Sequence, residues 1–220
     1  MKRYVSMEEI SDGRLYNLND MVKADCHDCV GCSKCCHDMV DTIILSPIDA
    51  YYLSKGLGRP FRELIEKEVA LRVVDGVILP NMKMTADRNC CAFLDEQGRC
   101  SIHPFRPDLC RLFPLGRYYE NGDFRYFLQT GQCDHPRTKV KVGKWIDTPD
   151  PAAHREYVLR WHDLLKRAEE ILENSEDEEL NHNLNMAVLN VFYMTPYRTD
   201  EDFYEQFALR AEKIESVIRE

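Results

Sequence analysis

The sequence predicts a helix-rich α+β fold: a cysteine-rich core with short hairpins, followed by a C-terminal helical region. Three observations predict it. All ten cysteines fall between residues 26 and 133. Two dipeptides suited to tight hairpin turns, Asp75-Gly76 and Asn121-Gly122, are flanked by apolar and aromatic residues. From Asp150 onward apolar residues recur at helical spacing and cysteine is absent. The expected division is a cysteine-cluster metal-binding region over 1–149 and an acidic helical region over 150–220, packed together as one compact domain.

The elements follow in chain order. Ser46 is suited to cap a helix and Pro47 to open it, with Gly56 and Gly58 expected to end it. Pro60 opens a second short helix whose Phe61, Leu64 and Ile65 share a face. Val73 to Leu79 then reads as a hairpin about Asp75-Gly76. Cys91 to Leu94 and Cys100 to Ile102 are expected as two short strands joined by the turn Asp95 to Gly98. A further hairpin joins Arg117–Tyr119 to Phe124–Leu128. Beyond Asp150, Val158, Trp161, Leu165, Ala168 and Leu172 form one stripe, and Leu180, Leu184, Ala187, Val188 and Val191 a second. Pro196 breaks the chain before a third stripe of Phe203, Phe207, Ile214 and Val217. The acidic stretch Glu173 to Glu179 is expected as a hinge.

A chain of 220 residues can bury a sizeable core, so it does not need disulfides merely to fold. The first residues lack the apolar run of a secretory signal, and no transmembrane segment is expected. The expected compartment is therefore the cytoplasm, where thiols persist and serve metals or redox chemistry. Charge is uneven: residues 150–220 hold 17 acidic and 8 basic side chains, residues 1–149 hold 21 of each, and these account for the net −9. That distribution argues against nucleic acid, which needs a basic face. It suits instead a protein partner that docks on the acidic helices.

The run Cys26-x2-Cys29-x2-Cys32-x2-Cys35-Cys36 presents a thiol at every third residue, a spacing that lets a tight loop wrap a metal centre. Gly31 and Ser33 leave the backbone free to turn, and its N–H groups can reach bound sulfides. The spacing partly matches the ferredoxin loop C-x2-C-x2-C-x3-C-P. Paired zinc knuckles would show a second C-x2-C, whereas the second block runs Cys91-x8-Cys100-x9-Cys110, with Cys90 before it and Cys133 after. His27, His37, His103 and His135 lie close to cysteines and are read mainly as neighbours of the metal rather than ligands. Lys34, Arg99, Arg106 and Arg111 can offset thiolate charge, or can pair with Asp95, Glu96 and Asp108. His154, His162 and His182 sit in the helical region and are expected to ligate nothing.

Cys29-x2-Cys32-x2-Cys35-Cys36, Cys91-Ala-Phe-Leu94, Gly98-Arg-Cys100-Ser-Ile102, Arg106-Pro107-Asp-Leu-Cys110-Arg111 and Phe113-Pro114 together resemble the CxxCxxCC family, the zinc- or iron-chelating domain of YkgJ-type proteins. The resemblance spans roughly residues 26–135. It implies that Cys29, Cys32, Cys35, Cys36, Cys91, Cys100 and Cys110 are metal ligands. Cys133 stands before Asp-His where the family has Pro-Gly, His103 replaces a tyrosine, and Cys26 and Cys90 are thiols additional to the family pattern; Cys133, Cys26 and Cys90 complete the set of ten candidate metal residues.

The resemblance fixes ligands better than activity. An iron–sulfur protein, with a 4Fe-4S cluster and a redox, electron-transfer or accessory role, is the leading expectation. Zinc in a structural or interaction protein is one alternative. A metal-dependent enzyme related to flagellin lysine methylase, which contains a similar cysteine domain, is another.

Overall fold

A computed structural model describes residues 6–25, 32–39, 42–65, 67–87, 89–132 and 138–219. Helix α1 (Met7–Ile10) leads to strand β1 (Met21–Asp25), which pairs antiparallel with the distant β6 (Thr138–Lys141), Val22 facing Val140. Nothing in either segment announces this partnership, because each strand is short and its mate lies more than a hundred residues away.

Helix α2 (Pro47–Leu57) starts as the sequence requires: Asp49 accepts hydrogen bonds from the Ser46 amide (2.7 Å) and hydroxyl (2.8 Å). Gly58, with φ at 65°, caps its end. Gly56 does not terminate the helix. It lies inside, against Phe105, whose ring atoms would come within 2.4 Å of an added Cβ. The expected second helix shrinks to one 3₁₀ turn, Phe61–Leu64, since Ile65 already turns extended.

The hairpin of β2 (Val69–Val74) and β3 (Val77–Met82) turns at Asp75 and Gly76, both at positive φ, as a primed two-residue turn demands. After the one-turn helix α3 (Asp108–Leu112) come β4 (Leu115–Glu120) and β5 (Asp123–Leu128), joined in the same way at Asn121 and Gly122. Cys91–Leu94 and Cys100–Ile102 are not strands. They are turns linked by isolated bridges, Met84 to Cys91 and Leu94 to Cys100, too short to extend a ladder.

Two-stranded sheets are marginal alone. Here helix α4 (Val142–Ile146) packs on β1 and β6, α5 (Pro151–Asn174) and α6 (Glu178–Leu189) pack on β3, and α7 (Phe203–Arg219) packs on α5 and α6. Asn185 on α6 accepts from the Ile78 amide (2.6 Å) and donates to the Gly76 carbonyl (3.2 Å), gripping the β2–β3 turn. Trp161, Phe192, Phe207 and Tyr157 interlock edge to face, with Trp161 and Phe192 centroids 4.9 Å apart. One hydrophobic core runs from Val22 on β1 to Ile214 on α7.

The expected hinge is only Ser175–Asp177, for Asp177 caps α6 and the flanking glutamates are helical. Leu180 and Val217, assigned to apolar stripes, are 45 % exposed at the edges of their faces. A π turn, Asn190–Met194, ends α6. Among the described residues no helix is long and apolar enough to cross a membrane.

Gly56→Ala tests the close approach of α2 to Phe105. Alanine should help a helix by about 0.8–1.0 kcal/mol, yet the clash should outweigh this and leave a net loss of about 1–3 kcal/mol in urea unfolding. A stabilised variant would show that Phe105 moves aside without cost.

Candidate metal centre

The first cysteine block enters the described structure at Cys32. Lys34–Cys36 form a 3₁₀ turn, closed by the Cys36 amide donating to the Ser33 carbonyl (2.8 Å). The chain then runs antiparallel to the second block. The Cys91 amide donates to the Cys36 carbonyl (2.7 Å), the Asp38 amide to the Asn89 carbonyl (3.1 Å), and His37 faces Cys90. A second approach comes from the Asp95–Gly98 turn. Gly98, at φ 70°, would carry a Cβ 3.9 Å from the Ser33 hydroxyl. Two segments that the sequence holds far apart thus share one place.

All seven described cysteines are free thiols: Cys32, Cys35, Cys36, Cys90, Cys91, Cys100 and Cys110. Five of them sense one another. A hydrogen bond from the Cys36 thiol lowers the Cys35 pKa to about 7 against the cost of burial, with Arg106 assisting, and Cys36 is pushed up in turn. Burial raises Cys91 to about 11, and Cys100, Cys90 and Cys35 add to the effect. Burial also raises Cys100, and raises Cys110 well above the ordinary value, where Cys91, Cys35, Asp49 and Cys100 reinforce it. Of these five, Cys35 is therefore the thiol most ready to present a thiolate. Cys36, Cys91, Cys100 and Cys110 need a positive charge beside them, and a soft divalent metal would supply one while protons leave.

Cys90 stands apart. It is fully buried, with its sulfur 3.4 Å from the Thr85 hydroxyl. Cys26, Cys29 and Cys133, with His27 and His135, lie outside the described residues. His37 Nδ1 is 3.0 Å from the Ser33 carbonyl, and His103 Nε2 is 2.6 Å from an Arg106 nitrogen, so each imidazole has a partner beside the thiols. Arg111 donates to the carbonyls of Pro104 (3.2 Å) and Asp147 (3.4 Å). No three His, Cys, Asp or Glu among the described residues form a ready-made metal site. The donor set nevertheless suits a thiophilic metal, because five mutually influencing thiols are collected from two segments.

Behind Cys110 lies a buried polar group that the sequence did not reveal. Asp108 accepts from Arg117 Nη2 (2.7 Å) and sits 3.3 Å from His154 Nε2; the three side chains are 11 %, 9 % and 6 % exposed. The Asp108 amide donates to Asp49 (2.7 Å). Asp108 is therefore paired with Arg117 and His154, not with Arg99, Arg106 or Arg111. Burial would raise its pKa, but Arg117 and His154 overcome that and hold it well below the carboxylate range. Asp49 is raised to about 6, first by burial and then by the charge of Asp108, although three donors oppose the shift. These residues come from α2, α3, β4 and α5, and only folding brings them together.

The raised Asp49 pKa has a defined sign. Its contribution to stability is full below the unfolded value of about 4 and is lost as pH rises through about 6. Urea unfolding of metal-free protein should show that slope between pH 4 and 6, and Asp49→Asn should remove it. An unchanged slope in the variant would assign the dependence elsewhere.

Comparison with known proteins agrees with this geometry. Searches of curated proteins and of solved structures gave no significant match. A family model does match, over residues 28–133, a span that takes in both cysteine blocks and ends at Cys133. Those residues match the CxxCxxCC family, whose description is "Putative zinc- or iron-chelating domain", over a little under half of the chain.

Proposed function

We propose that this chain binds iron through thiolates drawn from both cysteine blocks, as an iron–sulfur cluster of the 4Fe-4S type, in a redox or accessory role. The observation that carries the reading is the joining of the blocks by the Cys91-to-Cys36 backbone bond, with Cys35, Cys36, Cys91, Cys100 and Cys110 influencing one another. Five thiols that sense one another, with Cys32 three residues before Cys35, are enough for the four that a 4Fe-4S cluster takes, as they are for the four of a tetrahedral zinc. A sulfide-bridged cluster spreads negative charge over more atoms and accepts hydrogen bonds from loop amides. Bound there, it would supply one-electron transfer. Arg106, whose charge already favours thiolate at Cys35 and Cys100, would offset part of the cluster's charge.

One observation favours structural zinc as a second reading. Cys91 is buried and Cys110 is half-buried, which suits a closed four-thiolate site with no open position.

Protein purified without oxygen should contain iron with matching acid-labile sulfide and absorb in the visible. Cys32→Ser and Cys110→Ser should each abolish that absorption. Cys90→Ser should leave most of it, because Cys90 already faces Thr85. Colourless protein carrying stoichiometric zinc without sulfide would put the second reading first.

A further inference from the structure

Helix α3 is five residues long, and it carries Cys110. A single turn has little stability of its own, because nucleating a helix costs more than one turn of hydrogen bonds returns. Its position must be set from outside. At its C-terminal end, Trp145 donates to the carbonyls of Leu112 (3.3 Å) and Phe113 (3.2 Å). At its start the fastening is stronger. The Asp108 amide is held by Asp49, and the Asp108 carboxylate is held by Arg117 and by His154, all of them buried.

We propose that His154, on helix α5, is a positioning residue for the metal centre: through Asp108 it fixes the turn that presents Cys110 to Cys91, Cys100 and Cys35. This rests on the thiolate-metal reading above and adds a role for the C-terminal helices, which supply no cysteine. His154 Nε2 faces both Asp108 (3.3 Å) and Arg117 (3.4 Å). Its Nδ1 is buried and has no hydrogen-bond partner among the described residues, so the ring's polar contacts run through Nε2, beside a tilted packing contact with Tyr157 at 5.8 Å. Asp108 in turn lies two residues before Cys110, on the same helical turn. Removing the imidazole leaves Arg117 and Asp49 in place but frees one carboxylate oxygen, and the α3 turn can then pivot. His162, two turns further along α5, provides the control. It stacks on Tyr119 at 3.8 Å, so its loss perturbs the same helix and reaches the clamp only through that tyrosine, which bonds Arg117.

The test uses full-length protein, with zinc and cobalt as separate probes. Zinc affinity is measured by competition with a chromophoric chelator, the cobalt absorption spectrum reports coordination geometry, and amide hydrogen exchange follows residues 108–112 in the metal-free chain. His154→Ala should fold, keep the wild-type metal stoichiometry, lose about tenfold in zinc affinity as expected for an orienting partner of a ligand, and alter the cobalt spectrum. Exchange at 108–112 should quicken. His162→Ala should match wild type in all three. His154→Gln, whose amide can donate to Asp108, should recover most of the affinity.

A folded His154→Ala protein with wild-type affinity, spectrum and exchange would overturn the proposal. So would an equal loss in His162→Ala. If His154→Ala does not fold, Arg117→Lys replaces it, keeping the charge but not the fork, and the same two outcomes decide. Wild-type protein that binds neither metal would refute the metal reading itself, and this inference would fall with it.

Discussion

A short antiparallel bridge, in which the Cys36 carbonyl accepts the Cys91 amide and Asp38 pairs with Asn89, turns two remote cysteine blocks into one. Everything about the centre depends on it. The segment between the blocks must return to its starting point, and each part of that segment has a fastening. Asp49 caps α2, Tyr193 donates to the Leu45 carbonyl, and Asn185 grips the β2–β3 turn. The cost of closing such a loop grows only slowly with its length. What decides the geometry is how firmly its parts pack on the C-terminal helices.

Those helices therefore do more than cover a core. The Asp108–Arg117 pair is buried, and an ion pair in such a place adds little net stability over an apolar substitute, whereas losing one partner costs about 3–5 kcal/mol. Its value here is directional. Phe124 lies against the Arg117 guanidinium at 5.5 Å, and the fork reaches the turn that begins the Cys110 helix. Arg155 covers the other approach to Phe124, at 4.7 Å, so α5 and the β4–β5 hairpin hold one another in register. Burial raises the pKa of the Cys91 and Cys110 thiols, and a bound metal would offset that with its positive charge.

Much of this was legible in the sequence, for local reasons. Asp75-Gly76 and Asn121-Gly122 encode primed turns, Ser46-Pro47 encodes a helix start, and the stripe through Val158 and Trp161 encodes α5. Cysteine spacing identified the chemistry. What the sequence withheld is non-local. Strands β1 and β6 pair across nearly the whole cysteine region, and Asp49, Asp108, Arg117 and His154 meet only in space. Cys91–Leu94 looked like a strand because its residues suit one. Yet each flanking segment offers a single bridge, and the chain turns instead. Gly56 looked like a helix end, and the reason for it, the ring of Phe105, lies in another segment.

The central claim is that one metal centre draws on both blocks, and heteronuclear NMR of cadmium-substituted protein reads this directly through couplings from the metal to cysteine β-protons. The account predicts that a single cadmium ion correlates with at least one cysteine from residues 32–36 and at least one of Cys91, Cys100 and Cys110. Separate cadmium resonances, each coupled to cysteines of one block alone, would contradict it.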